Sequence, residues 1–262
     1  MRTPFIAGNW KMHLDRRAIA EFCAALRELA RSRPPVRVGV FPSFVYVAEV
    51  ARALEGSGVI VGAQTCHPQG SGAFTGEVSA KQVRDVGASH VIVGHSERRQ
   101  LCGESDADVR ARLDAALAAG LDAILCLGET LAERKAGETA RVVSRQLGAA
   151  TAGLSGEPFS RRVTIAYEPV WAIGTGVNAT AAQAQEVHAL LRAQLAAAFG
   201  QEAAAATTIQ YGGSVKPGNI AELMACPDVD GALVGGASLE FASFEAIVRQ
   251  GSPAPHGAGS PK

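Results

Sequence analysis

Several polar side chains stand immediately after short apolar runs. Asn9 and Lys11 follow "PFIAG", the triplet His95, Ser96 and Glu97 follows "HVIVG", and Glu168 follows "RVTIAY". A carboxylate, an imidazole and an ammonium are what is needed to lift a proton from a carbon beside a carbonyl. The carboxylate acts as base, while the other two stabilise the charge that develops on oxygen. Two glycine pairs suggest what else is held. Gly212 and Gly213 precede Ser214 after "TTIQY", and Gly235 and Gly236 follow "DGALV". Residues this small let backbone N–H groups approach a phosphate closely. The chemistry implied is proton abstraction on a small phosphorylated carbonyl compound. An enediolate phosphate tends to eliminate its phosphate, so such a site must close and exclude water. The stretch "EPVWAIGTGV" has the composition of a lid: Pro169, Val170 and Trp171 as a stiff first hinge, Ala172, Ile173 and Gly174 as the closing tip, and Thr175, Gly176 and Val177 as the second hinge. Taken singly, each residue has a plain structural reading: a solvated lysine, a packed histidine, a capping glutamate, an ordinary glycine turn. Their convergence carries the argument.

These residues need elements that bring distant segments to one place. Eight runs rich in Val, Ile and Leu recur: "PFIAGNW", "VRVGVF", "VIVGAQ", "HVIVGH", "DAILCLG", "VTIAYE", "TTIQYGG" and "DGALVGG". Most are continuously apolar, as expected of parallel strands covered on both faces. Helical patterns lie between them. "DRRAIAEFCAALRELAR" puts Ile19, Phe22, Cys23, Leu26 and Leu29 on one stripe, and "SDADVRARLDAALAAG" opens on the N-cap Ser105 and ends at Gly120. "TLAERKAGETARVVSRQLGAA" and "TAAQAQEVHALLRAQLAAAFG" read as two more. Eight alternations predict a single-domain (β/α)8 barrel over residues 1–250, with an open doubly wound sheet as the alternative. In a barrel the site lies at the C-terminal strand ends, where the polar residues fall, and the loops after strands 7 and 8 commonly hold phosphate. The Pro/Gly/Ser-rich tail 251–262 reads as disordered.

Composition narrows the partners. Lys plus Arg and Asp plus Glu number 25 each, so no net field recruits nucleic acid or an anionic membrane. No apolar stretch is long enough to span a bilayer, and the N-terminus lacks a signal-peptide pattern. There is neither a nucleotide fingerprint nor metal-ligand spacing, so no cofactor and no metal are expected. Five scattered cysteines without CxxC spacing suggest reduced thiols in a cytoplasmic protein.

Five motifs in order, "AGNWKMH", "GHSERR", "AYEPVWAIGTG", "YGGSVKPGN" and "ALVGGASL", resemble triosephosphate isomerase over residues 4–250. That family is itself the usual illustration of a glutamate base beside a neutral imidazole and of loop closure. The resemblance implies a TIM barrel that interconverts dihydroxyacetone phosphate and glyceraldehyde 3-phosphate, a step of glycolysis and gluconeogenesis. On the matching positions Glu168 is the base, His95 the neutral electrophile, Lys11 the charge-neutralising cation, and Asn9 a hydrogen-bond partner near the carbonyl oxygen. Ser96 and Glu97 support them, and Cys126 packs near the base. The phosphate is gripped around Gly174, Ser214, Gly235 and Gly236. The long loop 63–79, with apolar Phe74 near its tip, implies a homodimer in which Thr75 reaches the partner's Asn/Lys pair. Thr65 departs from the acidic or amide residue expected there, which puts a local hydrogen bond in doubt. The tail also runs past the family's usual end. A sugar-phosphate epimerase, an aldolase and a non-catalytic barrel are the competing readings. Missing metal ligands, the placement of Lys11 after its strand, and the presence of Glu168, His95 and Lys11 weigh against each in turn.

Overall fold

The computed structural model describes residues 2–173 and 179–251. They form a closed barrel of eight parallel strands in sequence order: β1 (Phe5–Asn9), β2 (Arg37–Phe41), β3 (Ile60–Ala63), β4 (His90–Val93), β5 (Asp122–Leu127), β6 (Val163–Tyr167), β7 (Ile209–Tyr211) and β8 (Gly231–Val234). Closure is made by β1 against β8, with Phe5 opposite Gly231 and Gly8 opposite Val234. The open sheet is thereby excluded.

Side chains alternate across a strand, so most strands feed two apolar layers, while β7 instead places the buried Gln210 amide against Phe5 O at 2.9 Å. One set, including Phe5, Ala7, Phe41, Ile92, Ile124, Ala166 and Leu233, packs as its own buried cluster. The residues between them, such as Ile6, Val40, Val91, Val93 and Ile165, join the larger cluster formed with the helices. Both faces of most strands are therefore apolar, which is why most of the runs read as continuous. The same period of two carries the site: Asn9 shares the parity of Phe5 and Ala7, and Glu168 that of Ala166. Their side chains emerge at the C-terminal end of the inner layer.

Several helices begin where a side chain satisfies free N–H groups. Asp15 accepts the Ala18 N–H at 2.9 Å ahead of Arg16–Arg31, whose buried residues are the five on the predicted stripe. Ser105 and Asp108 cap each other's backbone ahead of Asp106–Ala118. The segment read as one helix from Thr130 is two, Leu131–Lys135 and Thr139–Thr151. Gly137, at φ 73°, takes a left-handed conformation and breaks the run. Among the described residues, no helix is long and apolar enough to cross a membrane.

Candidate active site

Glu168 continues the β5–β6 ladder, its N–H donating to Leu127 O at 2.8 Å, and its side chain is buried (1% exposed). The carboxylate has two partners. Oε2 accepts the Ser96 N–H at 2.9 Å, and Oε1 lies 3.1 Å from His95 Nε2. His95 caps the short helix Ser96–Leu101, with Nδ1 accepting the Glu97 N–H at 3.2 Å. Nδ1 therefore carries the lone pair, and the ring proton sits on Nε2, facing the carboxylate and the cavity. This is a neutral imidazole aimed as a donor.

Two glycines make room for the base. A Cβ at Gly212 would sit 2.7 Å from Glu168 Cγ, and one at Gly128 would sit 1.8 Å from the Glu168 carbonyl oxygen. Any larger residue at Gly128 would push β6 away from its position.

Lys11 leaves β1 through a left-handed turn at φ 50°, uncommon for a residue with a side chain. Two bonds hold it there, and a third fixes the Gln64 amide that makes one of them. Asn9 Oδ1 accepts the Lys11 N–H at 3.1 Å, and Gln64 Nε2 donates to Lys11 O at 2.7 Å and to Phe41 O at 2.9 Å. The ammonium pairs with Glu97 Oε1 at 2.5 Å. Glu97 thus serves both sides of the site: its N–H sets the His95 tautomer and its carboxylate anchors the lysine.

These groups border one cavity of about 500 Å³, which is also lined by Ile173, Gly212–Ser214, Gly235 and Gly236. That volume suits a small ligand. Cys126 is fully buried beside Glu168, and burial, followed by the charge of Glu168, pushes its thiol well above the usual range. It is inert as a nucleophile. Among the described residues, no group of three His, Cys, Asp or Glu side chains could hold a metal ion.

A profile of the family described as Triosephosphate isomerase matches residues 4–251. The chain belongs to the triosephosphate isomerase family. It is 54% identical over 252 residues to the triosephosphate isomerase of Pelobacter propionicus, an alignment covering 95% of this chain and 98% of that protein. The Moorella thermoacetica enzyme of the same name is 54% identical over 249 residues, with the same coverage of both chains. The enzyme from Pseudomonas entomophila is 50% identical over 250 residues, again covering 95% and 98%.

As an isomerase of this family, the chain brings together Asn9, Lys11, His95, Ser96, Glu97 and Glu168 from three strand ends, with Ser214, Gly235 and Gly236 across the cavity. Of the lid stretch, Val170–Ala172 form a 3-10 turn and Ile173 reaches the cavity; Gly174, Thr175, Gly176 and Val177 lie outside the described residues. Thr75 is exposed on its loop. The Thr65 hydroxyl, whose local bond was in doubt, is buried without a hydrogen-bond partner.

Three functional candidates escaped the sequence reading. Gln64 ends the run "VIVGAQ" and Glu129 follows "DAILCLG", so the rule that singled out polar residues at strand ends applied to both. Glu129 is buried and accepts from the Tyr167 hydroxyl at 3.1 Å and Trp171 Nε1 at 3.0 Å, which moors the start of the lid stretch to the barrel. Burial first, then the Glu129 charge, holds the Tyr167 phenol protonated as a donor. The third, Lys216, lines the cavity and had no role assigned to it within "YGGSVKPGN".

Proposed function

We propose that this isomerase interconverts dihydroxyacetone phosphate and D-glyceraldehyde 3-phosphate through an enediol(ate). Glu168 takes a proton from the carbon beside the carbonyl and returns it to the neighbouring carbon, so the reaction is redox-neutral and consumes no co-reactant. His95 donates its Nε2–H to the substrate oxygens, and the Lys11 ammonium and Asn9 amide stabilise the charge that gathers there. Backbone around Ser214, Gly235 and Gly236, together with Gly174 of the lid, grips the phosphate. The observation that carries this reading is the buried Glu168 carboxylate 3.1 Å from an imidazole whose other nitrogen is committed to a backbone N–H. The Glu168 carboxylate faces the His95 Nε2–H that the substrate oxygen would need. Substrate entry therefore frees Glu168 from His95 and turns it towards carbon. Residues 169–177 close over the bound phosphate from a first hinge moored on Glu129.

The deciding measurement is a coupled isomerase assay on the purified protein without added metal, repeated with EDTA. Turnover unaffected by EDTA is expected; absence of turnover in both conditions would return the reading to a different phosphate-binding barrel.

The protein also acts as a cytoplasmic homodimer in this proposal. All five cysteines are unpaired, as in a reducing compartment. Met12 (93% exposed), Val45 (79%), Phe74 (44%) and Leu101 (82%) lie in the segments following β1, β2, β3 and β4, at the barrel end that carries Lys11. Large apolar side chains exposed on four successive segments of one barrel end favour a partner covering them, with Thr75 meeting the Asn9–Lys11 turn of the other copy. Sedimentation at micromolar concentration should show twice the chain mass; a monomer would overturn the assembly.

A further inference from the structure

The paired residues of β5 and β6 end at Leu127 opposite Tyr167, and the base and the first lid hinge come after them. Their backbone rests on the turn that follows β5. Leu127 O accepts the Glu168 N–H at 2.8 Å, and Glu129 O accepts the Val170 N–H at 3.1 Å. Gly128 lies between these two acceptors and abuts the Glu168 carbonyl. A shift of Gly128 would therefore carry Glu168 and Val170 with it.

One side chain holds Gly128 from both sides. Gln146 is buried in the helix Thr139–Thr151; its Oε1 accepts the Gly128 N–H at 2.8 Å, and its Nε2 donates to Gly128 O at 3.2 Å. Leu127 O and the Gly128 N–H belong to one peptide unit, so a chain of two hydrogen bonds runs from Gln146 through that unit to the Glu168 N–H. Buried Val142, Val143, Leu147 and Ala150 anchor the helix, so the amide projects from a rigid element. A cavity of about 480 Å³ opens on this side, bordered by Gly128, Gln146, Glu168 and Val170. With that space beside it, packing does not fix the turn, and the two amide bonds do.

We infer that Gln146 is a positioning residue for the reaction, holding the base Glu168 in place through the Leu127–Gly128 peptide. This rests on the proton-transfer role proposed above for Glu168. Gln146 touches neither the substrate nor the reacting atoms. When its amide is removed, water from the adjacent cavity can take up the Gly128 N–H and C=O, so the fold survives while the base loses its fixed placement. A small misplacement of a catalytic group acts on the chemical step. The phosphate grip lies across the site at Ser214, Gly235 and Gly236, so the effect falls on kcat and not on KM.

The test uses the full-length enzyme, the variants Gln146→Met and Gln146→Asn, and Leu147→Ala as a control on the same helix. Methionine matches the length of glutamine without its hydrogen bonds. Asparagine keeps the amide but falls a methylene short of Gly128, and it guards against a methionine variant that does not fold. Both should lower kcat about ten- to hundredfold, with KM for glyceraldehyde 3-phosphate and the inhibition constant of inorganic phosphate within about twofold. Leu147→Ala should lower the melting temperature at least as much, with kcat within about twofold of the wild type. A kcat within about twofold of the wild type in a folded Gln146 variant overturns the inference. So does an equal loss of kcat in Leu147→Ala, or a rise in KM that matches the fall in kcat. Amide hydrogen exchange over residues 167–171 reads the placement without turnover: it should quicken about tenfold in the Gln146 variants, and unchanged exchange counts against the inference. If the wild type fails to isomerise at all, the proposed reaction falls, and the exchange still decides whether Gln146 holds the backbone of Glu168.

Discussion

The two ends of the barrel bury charge for different purposes. At the N-terminal end the charged groups answer one another. Asp230, ahead of β8, accepts from Arg2 at 2.5 Å, from Arg192 at 2.6 Å and from the Ile209 N–H at 2.9 Å. Arg192 also reaches Asp228 at 2.6 Å and the Ala204 and Thr207 carbonyls. Asp122, at the start of β5, takes Arg162 at 3.1 Å, and Arg37 lies 4.7 Å over the Phe5 ring. At the C-terminal end Glu168 is as deeply buried but has no arginine or lysine as an ion-pair partner among the described residues; it faces an N–H and an imidazole. Opposite-charge partners lock a carboxylate as an anion, and the absence of one at Glu168 suits the base role proposed for it. Burial of charge therefore says little by itself, and the partner decides whether it serves the fold or the reaction.

Glu168→Gln should separate the ends most sharply. The amide keeps the shape and loses the basic oxygen, so kcat should fall about a thousandfold or more while the melting temperature stays within about 2 °C. A large loss of stability with modest loss of rate would mean that Glu168 belongs with the structural charges. Arg192→Met is the mirror experiment. It takes one of two arginines from Asp230, which keeps Arg2, and the arginine from part-buried Asp228, which keeps Gln185, and should cost about 2–3 kcal/mol in urea unfolding, with kcat of the folded fraction within about twofold. A stable but slow variant would tie the far end to the chemistry.

The smallest effect is titration. Burial, the main cause, depresses His188 to about 4 against the opposing hydrogen bond to Asp228 O; Arg192 lowers it further, and Tyr167 and Tyr211 pack around it. Burial likewise depresses His90 to about 4, with Asp122 opposing and Arg37 assisting. Both histidines stay neutral in the fold and protonate in the unfolded chain. Stability is thus fully present above about pH 6.5 and is lost as pH falls from there towards 4. At pH 5 the loss should be about 2 kcal/mol for each histidine. Urea midpoints at pH 7, 6 and 5 read it, and His90→Phe should flatten part of the slope; an unaltered slope would place the sensitivity elsewhere.

Much of this was legible in the chain because it depends on short range. The eight apolar runs follow from burial on both faces of parallel strands, and the caps Asp15 and Ser105 act within three residues. The groups at β1, β4 and β6 were readable because strand ends are the one place in this architecture where polar residues have access to a ligand. Gly137 was read through, since a left-handed break inside an Ala- and charge-rich run changes no hydrophobic period. Glu129 and Gln64 had the right position but lacked a visible reason to be polar. Their reasons are the Trp171 indole and the Lys11 carbonyl, which are 42 and 53 residues away.

The amino-acid sequence alone determined the strand–helix alternation, the family, and which residue types stand at the barrel's functional end, because periodicity and local capping are properties of neighbours along the chain. Tertiary structure decided the rest: which nitrogen of His95 carries the proton, that Lys11 is tethered to Glu97, and that Gly128 and Gly212 leave the space Glu168 occupies. Each of these depends on atoms that only barrel closure brings within a few ångströms of one another, and hydrogen bonds, ion pairs and steric contacts act only at that range.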